Sequence, residues 1–248
     1  MNDLRIIVNA DDFGYSHNIT NTIIDYFQSG YCNSTSVMIN CDDYEETYNL
    51  AKDAGIVHLV GLHINLTIGE PICEKMRTCS TFCKNGMFDG YKSNVSKRFL
   101  LNNEEKSAVE AEIRAQIERY LKMGYSGLSM DSHQGIHYDT SIYPIVIKLF
   151  REYGFKRIRR SPNINADIKR SLIRIPFNHA IKAAKINTTD YFCNFYGLKI
   201  SNFKLSSNKT LEIMCHPERK GVDYIDSVSE LLLNDYKDFV KELKYNME

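Results

Sequence analysis

Short apolar runs alternate with amphipathic segments along most of the chain. The first run, Ile-Ile-Val at residues 6–8, is β-branched throughout, which is typical of a strand buried on both faces. Comparable runs predict strands over 35–39, 57–66, 128–130, 157–160, 191–195 and 211–215. Apolar residues at helical spacing predict helices over 17–29, 42–55, 102–123, 141–153, 178–185 and 226–244.

This alternation of strands and helices indicates an α/β fold with a parallel sheet and helical crossovers. About six or seven such units favour a closed or nearly closed β/α barrel, and an open doubly wound sheet is the alternative. We expect residues 1–248 to form a single domain. Residues 68–100 are expected to be an irregular excursion, either a wall or lid over the active face or a surface insertion.

Composition excludes several classes of protein. Lys plus Arg and Asp plus Glu each number 31, so the formal charge is zero, and neither nucleic acid nor an anionic membrane is an expected partner. We expect a cytoplasmic protein, because there is no secretion signal and no apolar stretch long enough to span a bilayer. The seven cysteines are irregularly spaced and are expected to be free thiols. Three of them, in the excursion, lack the Cys-x-x-Cys pairs usual in structural zinc sites.

Two adjacent carboxylates, Asp11 and Asp12, follow the first apolar run. Neighbouring strand residues normally point to opposite faces, so both can reach one site only where the chain turns, and Gly14 permits a turn. Like charges at the end of a buried strand repel each other, and a bound cation would offset that repulsion. The alternative is an ordinary Asp-Asp turn that caps the next helix.

Other polar residues also lie near the carboxyl ends of predicted strands or directly after them: His63, Asp131, His133, Arg160 and His216. The carboxyl ends of the strands of a β/α barrel share one face, so these side chains would converge there. Taken singly, each has a structural interpretation as a core histidine, a loop cap or a turn residue. Their shared placement favours a functional site.

One carboxylate and two imidazoles form a ligand set that leaves positions open for water and substrate. Asp12, His63 and His133 would supply this set. Asp11 could then take a proton from the attacking water, and His216 could protonate a leaving amine. The same ligand set also occurs in non-haem iron enzymes, which are an alternative.

Two further residues are candidates for supporting roles. Asp131 could orient a ligand imidazole through a hydrogen bond. His137 lies four residues after His133, but Gly135 intervenes and makes helical geometry doubtful. His137 is therefore expected to face the substrate rather than the metal.

Four segments carry a resemblance to a known family: Asn-Ala-Asp-Asp-Phe-Gly at 9–14, Gly-Leu-His at 61–63, Asp-Ser-His at 131–133 and Met-Cys-His-Pro at 214–217. Together and in this order they resemble the YdjC-like carbohydrate deacetylases, which include chitooligosaccharide deacetylases. The resemblance covers nearly the whole chain. It implies a distorted β/α barrel that removes the N-acetyl group from an acetylated amino sugar or short oligosaccharide, often as a homodimer.

The resemblance also implies roles for individual residues. The family's metal ligands correspond to Asp12, His63 and His133. By similarity to the broader polysaccharide deacetylases, the base corresponds to Asp11, the acid to His216 and the arginine that orients the base to Arg160. The family is described as magnesium-dependent, whereas two imidazole ligands favour zinc or another transition metal. Both metals therefore remain candidates. A non-catalytic saccharide-binding protein is a further alternative to the enzyme.

Overall fold

The computed structural model describes residues 4–41, 43–89, 100–165, 168–199, 204–234 and 238–239. The strands are β1 (Arg5–Phe13), β2 (Ser34–Val37), β3 (Val60–Ile64), β4 (Cys83–Lys84), β5 (Met87–Phe88), β6 (Ser129–Ser132), β7 (Arg157–Ile158), β8 (Tyr191–Asn194), β9 (Thr210–Cys215), β10 (Pro217–Lys220) and β11 (Asp223–Asp226). The α-helices are α1 (His17–Gln28), α2 (Tyr44–Asp53), α3 (Glu74–Arg77), α4 (Asn103–Met123), α5 (Tyr143–Glu152), α6 (Ile168–Ala183) and α7 (Phe195–Lys199). Two 3₁₀ segments span Val57–Leu59 and His133–Tyr138.

Seven of the strands form one parallel sheet in the order β7-β6-β3-β2-β1-β9-β8. The first and last strands of this set, β1 and β9, pair directly, so the order follows the chain around a circle with one gap between β7 and β8. At that gap Arg157 forms an isolated parallel bridge with Asn187, and the amide of Asn163 donates to the carbonyl of Phe192 at 3.1 Å. The predicted distorted β/α barrel is confirmed.

Close backbone approach sets the position of the strands that carry the candidate site. A Cβ atom at Gly61 in β3 would lie 2.3 Å from the Oγ atom of Ser129 in β6, so only glycine fits there. The resulting register pairs His63 with Asp131. Two of the candidate residues therefore become direct neighbours through the pairing of β3 with β6.

Most predicted elements agree with the structure to within a few residues. At the start of α4 the side chain of Asn102 accepts from the amide of Glu105, and the carboxylate of Glu105 accepts from the amide of Asn102. Gly124 ends that helix in the left-handed conformation at φ 100°. The helix predicted at 178–185 begins earlier, since α6 spans Ile168–Ala183. Within the predicted excursion, residues 68–89 contain α3 and the β4–β5 hairpin, and residues 90–99 lie outside the described part.

The prediction of a helix over 226–244 is wrong for its first part. Residues 227–234 are irregular, and the Oδ1 atom of Asp226 accepts the amides of Val228 and Ser229 in a tight turn. A short carboxylate that bonds nearby amides competes with helix formation. Residues 238–239 are helical, whereas 235–237 and 240–248 lie outside the described residues.

Among the described helices, none is both long enough and apolar enough to cross a bilayer.

Candidate metal centre

A β-bulge directs both acids of the Asp-Asp pair into the barrel. Ala10 pairs with Thr35 and Phe13 pairs with Val37, so Asp11 and Asp12 stand opposite one residue of β2. Asp12 adopts a left-handed conformation with φ 69°, which is uncommon for a residue other than glycine. Consecutive residues of a regular strand point to opposite faces, and the bulge instead turns Asp11 and Asp12 toward one site.

Asp12, His63 and His133 come together as the sequence predicts. The Oδ1 atom of Asp12 lies 3.2 Å from His63 Nε2 and 2.8 Å from His133 Nδ1, and one ligand atom from each residue falls within 4.8 Å of the others. Two ligand atoms about 2.1 Å from a shared ion stand roughly 3.0–3.4 Å apart, depending on the bond angle. The donor set and its spacing therefore fit a divalent metal ion.

Asp131 fixes the imidazole of His63. His63 Nδ1 lies 2.8 Å from Asp131 Oδ1, while the hydroxyl of Ser36 donates to Asp131 Oδ2 at 2.9 Å. Because Asp131 bonds Nδ1, the other ring nitrogen, Nε2, points at Asp12 and the candidate metal site. Metal-bound histidines commonly have such a carboxylate on the nitrogen that does not bind the metal. Burial lowers the pKa of His63, but the charge of Asp131 and the hydrogen bonds to Asp12 and Asp131 outweigh it and raise that pKa to about 10. The site therefore favours positive charge.

Arg159, not Arg160, contacts the predicted base. Its guanidinium donates to Asp11 through Nη1 to Oδ2 at 2.7 Å and through Nη2 to Oδ1 at 2.8 Å. Arg160 instead donates through Nη1 to the carbonyls of Thr189 and Asp190, outside this network. Adjacent residues of an extended segment point to opposite sides, so only one of the two arginines can face the barrel interior.

A second cluster of possible metal ligands is a poor metal site because Arg159 lies within it. Asp11, His63 and Asp131 likewise bring three ligand atoms within 4.8 Å. However, Arg159 lies 2.7 Å from Asp131 as well as bonding Asp11, so its positive charge already occupies the space between these carboxylates. The group that contains Asp12 is therefore the better candidate for a metal site.

His216 lies on the wall of the same cavity, directly after β9. Its amide donates to Asp226 Oδ2 at 2.9 Å, and its Nδ1 lies 3.6 Å from the same oxygen. Burial lowers the pKa of His216, but the hydrogen bond to Asp226 and the charges of Asp11 and Asp12 outweigh it, so the net shift is upward. The surroundings of His216 therefore favour its protonated form.

His137 does not face the cavity, in contrast to the expectation that it faces substrate. It is fully buried, and burial lowers its pKa to about 3, so the ring is neutral. Its Nε2 lies 3.1 Å from the carbonyl of Arg159 and its Nδ1 lies 2.5 Å from Ser132 Oγ. His137 therefore links the ends of β6 and β7, which carry Asp131 and Arg159.

The cavity above the candidate metal centre has a volume of about 650 Å³. One end carries the ionisable side chains already described. The rest of the wall combines aromatic and apolar groups with amides, among them Tyr138, Ile164, Asn165, Phe192, Asn194 and Met214. A cavity of this size and polarity suits a small polar ligand with some apolar surface.

Sequence reasoning missed three residues that support the site: Arg159, Glu212 and Asp226. Glu212 lies in the middle of β9, where its Oε1 accepts from Arg159 Nε at 2.6 Å and its Oε2 accepts from Arg157 at 2.9 Å. An acid within an otherwise apolar strand is a signal that could have indicated this buried network. Nothing in the sequence pattern indicated Asp226, because the predicted helix covered it.

Comparisons with known proteins find similar chains. Residues 5–247 match the profile of the YdjC-like proteins. Proteins named carbohydrate deacetylase are similar over most of their length: one from Clostridium beijerinckii is 29% identical, covering 90% of this chain and 83% of that protein. One from Geobacillus stearothermophilus is 30% identical, covering 85% and 78%. Carbohydrate deacetylase 1 from Listeria innocua is 28% identical, covering 97% and 90%.

A solved structure shares the fold. The crystal structure of an Enterococcus faecalis protein, provisionally described as a cellobiose-phosphate cleavage protein, superposes with a TM-score of 0.72. The match covers 98% of this chain and 95% of that one at 20% sequence identity.

Proposed function

The chain belongs to the YdjC-like protein family, and from that premise we propose that it is a metal-dependent carbohydrate N-deacetylase. The substrate is an acetylated amino sugar or a short oligosaccharide of such units, for example a chitooligosaccharide. Water and the amide are converted to acetate and a free sugar amine. The observation that carries the proposal is the convergence of Asp12, His63 and His133 beside Asp11 and His216 in one cavity.

Asp12, His63 and His133 would hold the metal ion. When bound there, the ion supplies a Lewis acid that polarises the amide carbonyl and makes water easier to deprotonate. Asp131 keeps His63 in the tautomer whose Nε2 is free to act as a ligand. Nitrogen ligands favour zinc or another transition metal, whereas the family resemblance implies magnesium.

Asp11 acts as the base in this proposal. Its Oδ1 accepts from Asn9 Nδ2 at 2.7 Å and from Arg159, while its Oδ2 accepts only from Arg159 among the described residues. A carboxylate oxygen has two lone pairs, so Oδ2 keeps one for the proton that water loses as it attacks the carbonyl. Arg159 fixes the carboxylate plane with two bonds and is a positioning residue.

His216 acts as the acid. The carbon–nitrogen bond of the amide breaks only if the departing nitrogen gains a proton, because an unprotonated amide anion is a poor leaving group. The imidazolium of His216 supplies that proton from the cavity wall, and Asp226 favours the charged form before the reaction. A proton taken up by Asp11 and a proton released by His216 balance the hydrolysis.

The cavity wall is suited to a saccharide. Sugar rings present apolar faces that pack on aromatic side chains, here Tyr138 and Phe192, and hydroxyls that bond amides such as those of Asn165 and Asn194. The volume of about 650 Å³ leaves room for more than a single sugar unit.

The test is release of acetate from N,N′-diacetylchitobiose. The full-length protein is stripped with a chelator, then supplied separately with Mg²⁺, Zn²⁺, Co²⁺ or Fe²⁺, and acetate is measured. We expect acetate only in the presence of a metal, with the most effective ion identifying the cofactor. Absence of acetate from any acetylated saccharide with every ion would contradict the proposal. Oxygen uptake with Fe²⁺ and no acetate would support the non-haem iron alternative instead.

A further inference from the structure

A second cavity, of about 490 Å³, shares no lining residue with the catalytic cavity. It lies between the C-terminal half of α6, residues 185–188 and the side chain of Arg160. Arg159 and Arg160, which follow β7, point to opposite sides. Arg159 therefore lines the catalytic cavity and Arg160 lines the second cavity. The proposed deacetylation uses no residue of this second cavity.

The lining of the second cavity is strongly basic. It includes the basic side chains of Arg160, Lys182 and Lys185, together with His179, and no acidic residue is among those that line it. The nearby carboxylate of Asp190 is already bonded by the amide and hydroxyl of Thr210. Clustered positive charges repel one another, and a bound anion would offset that repulsion.

Arg160 presents an unused pair of donors. Its Nη1 bonds two backbone carbonyls, whereas its Nε is buried and bonds no described residue. No described residue accepts from Nη2 either, and Nε and Nη2 form one edge of the planar guanidinium. That edge is the one that binds two oxygens of a phosphate or carboxylate. The hydroxyl of Thr188, also on the cavity lining, is buried without a partner among the described residues.

The C-terminal end of α6 carries a partial negative charge that would repel an anion, but part of that charge is neutralised. Arg151 Nη2 donates to the carbonyl of Ala184 at 2.7 Å and so neutralises part of the negative helix end. Ile181 and Ile186 provide an apolar wall beside the charged groups. The volume exceeds that of an inorganic ion, so the ligand has a small organic body as well as an anionic head.

We propose that this cavity is a binding site for a small phosphate monoester. Its phosphate bonds the free edge of Arg160 and the ammonium groups of Lys182 and Lys185, and its organic part packs against the two isoleucines. Phosphate is favoured over carboxylate because one arginine, two lysines and a histidine suit a dianion with three free oxygens.

Calorimetric titration of the metal-loaded, full-length protein with glucose 6-phosphate tests the proposal, with inorganic phosphate and glucose as comparison ligands. We expect the phosphate monoester to bind saturably, inorganic phosphate to bind more weakly, and glucose not to compete. The Lys182→Glu/Lys185→Glu variant is expected to lose about tenfold or more in affinity. The Lys52→Glu/Lys122→Glu variant, which changes two exposed lysines in the last turns of α2 and α4, is the matched control and keeps wild-type affinity.

Arg160→Lys supplies a second test, because it keeps the charge but lacks the two-donor edge; we expect weaker binding with unchanged circular dichroism. Three results would overturn the proposal. One is no saturable binding to the wild-type protein. Another is an equal loss of affinity in both double-lysine variants, which would indicate a general charge effect. The third is binding that disappears on removal of the metal while surviving the Lys182→Glu/Lys185→Glu change, which would place the phosphate at the metal centre.

Discussion

Asp11 and Asp12 are adjacent in the chain but have different partners. Asp12 contacts two imidazoles, whereas Asp11 contacts Arg159 and Asn9. We therefore expect Asp11→Asn to lower kcat by about 100- to 10,000-fold, the usual contribution of a general base, while the protein retains its metal. Arg159 keeps Asp131 and Glu212 as counter-charges in this variant, so the fold should persist. Acetate release and elemental analysis on the same preparation measure both effects.

The control for this experiment is His63→Ala, which removes a proposed ligand and should lower metal content as well as activity. Equal loss of metal in Asp11→Asn and His63→Ala would mean that the roles of the two adjacent acids are assigned wrongly.

Arg159 and Arg157 both bond Glu212, but only Arg159 also bonds Asp11. A lysine at position 159 would keep the positive charge but could not donate the two parallel hydrogen bonds that Arg159 makes to the carboxylate of Asp11. We expect Arg159→Lys to lower kcat on the order of 100-fold through misplacement of Asp11, with little change in KM. Arg157→Lys is the matched control and should leave kcat nearly unchanged. A similar fall in both variants would indicate damage to the buried network rather than loss of positioning.

The site could be predicted from residues whose chemistry is unusual for their location. Histidines and acids at or near the carboxyl ends of apolar strands indicated Asp11, Asp12, His63, His133 and His216, and the structure brings all of these to one cavity. The choice between Arg159 and Arg160 could not be made, because it depends on which of two adjacent residues faces inward after a two-residue strand. A one-residue difference in register exchanges their roles.

At the scale of elements, the β10–β11 hairpin is one part that the sequence pattern did not predict. It follows His216 directly and returns Asp226 to the backbone amide and Nδ1 of that histidine. Apolar residues at 228, 231 and 232 have helical spacing, yet Val228 is exposed and Leu231 and Leu232 are not fully buried. Periodicity is therefore a weaker guide here than the competing turn that Asp226 forms with the amides after it.

The contact between Asp226 of this hairpin and His216 leads to a prediction about how activity depends on pH. His216 must be protonated to act as the acid, and its pKa lies above the ordinary value because the carboxylates of Asp226, Asp11 and Asp12 outweigh burial. Activity should therefore fall as pH rises through the raised pKa. Asp226→Asn removes one of the carboxylates that raise the pKa, so the high-pH limb of the kcat/KM profile should move to lower pH.

Asp223→Asn is the matched control for this shift. Asp223 lies on the same strand and accepts from Asn234 at 2.8 Å, but it has no bond to His216 among the described residues. Its profile should coincide with that of the wild-type enzyme. A high-pH limb that stays in place in Asp226→Asn would assign that limb to a group other than His216.

At the scale of the whole molecule, the barrel collects buried charge at its centre. Asp11, Asp131, Arg159 and Glu212 are each no more than 5% exposed, and they connect strands from opposite sides of the gap between β7 and β8. Buried ion pairs are costly unless each group is well bonded, as these are. The circular strand order was predictable from the alternation of elements, whereas this charged centre depends on side chains that meet only after the barrel forms.

A metal ion bound at the proposed centre would also stabilise the folded protein. A ligand that binds only the folded protein stabilises it by about 2.7 kcal/mol at a concentration 100 times its Kd. For a chain of 248 residues, we expect saturating metal to raise Tm by roughly 5–10 °C over chelator-treated protein, from the usual 2–4 °C per kcal/mol. Differential scanning calorimetry with and without chelator measures the shift. His63→Ala should lose most of it, while His179→Ala, which alters an exposed histidine of α6, should keep it. A shift that survives in His63→Ala would place the stabilising ion elsewhere in the molecule.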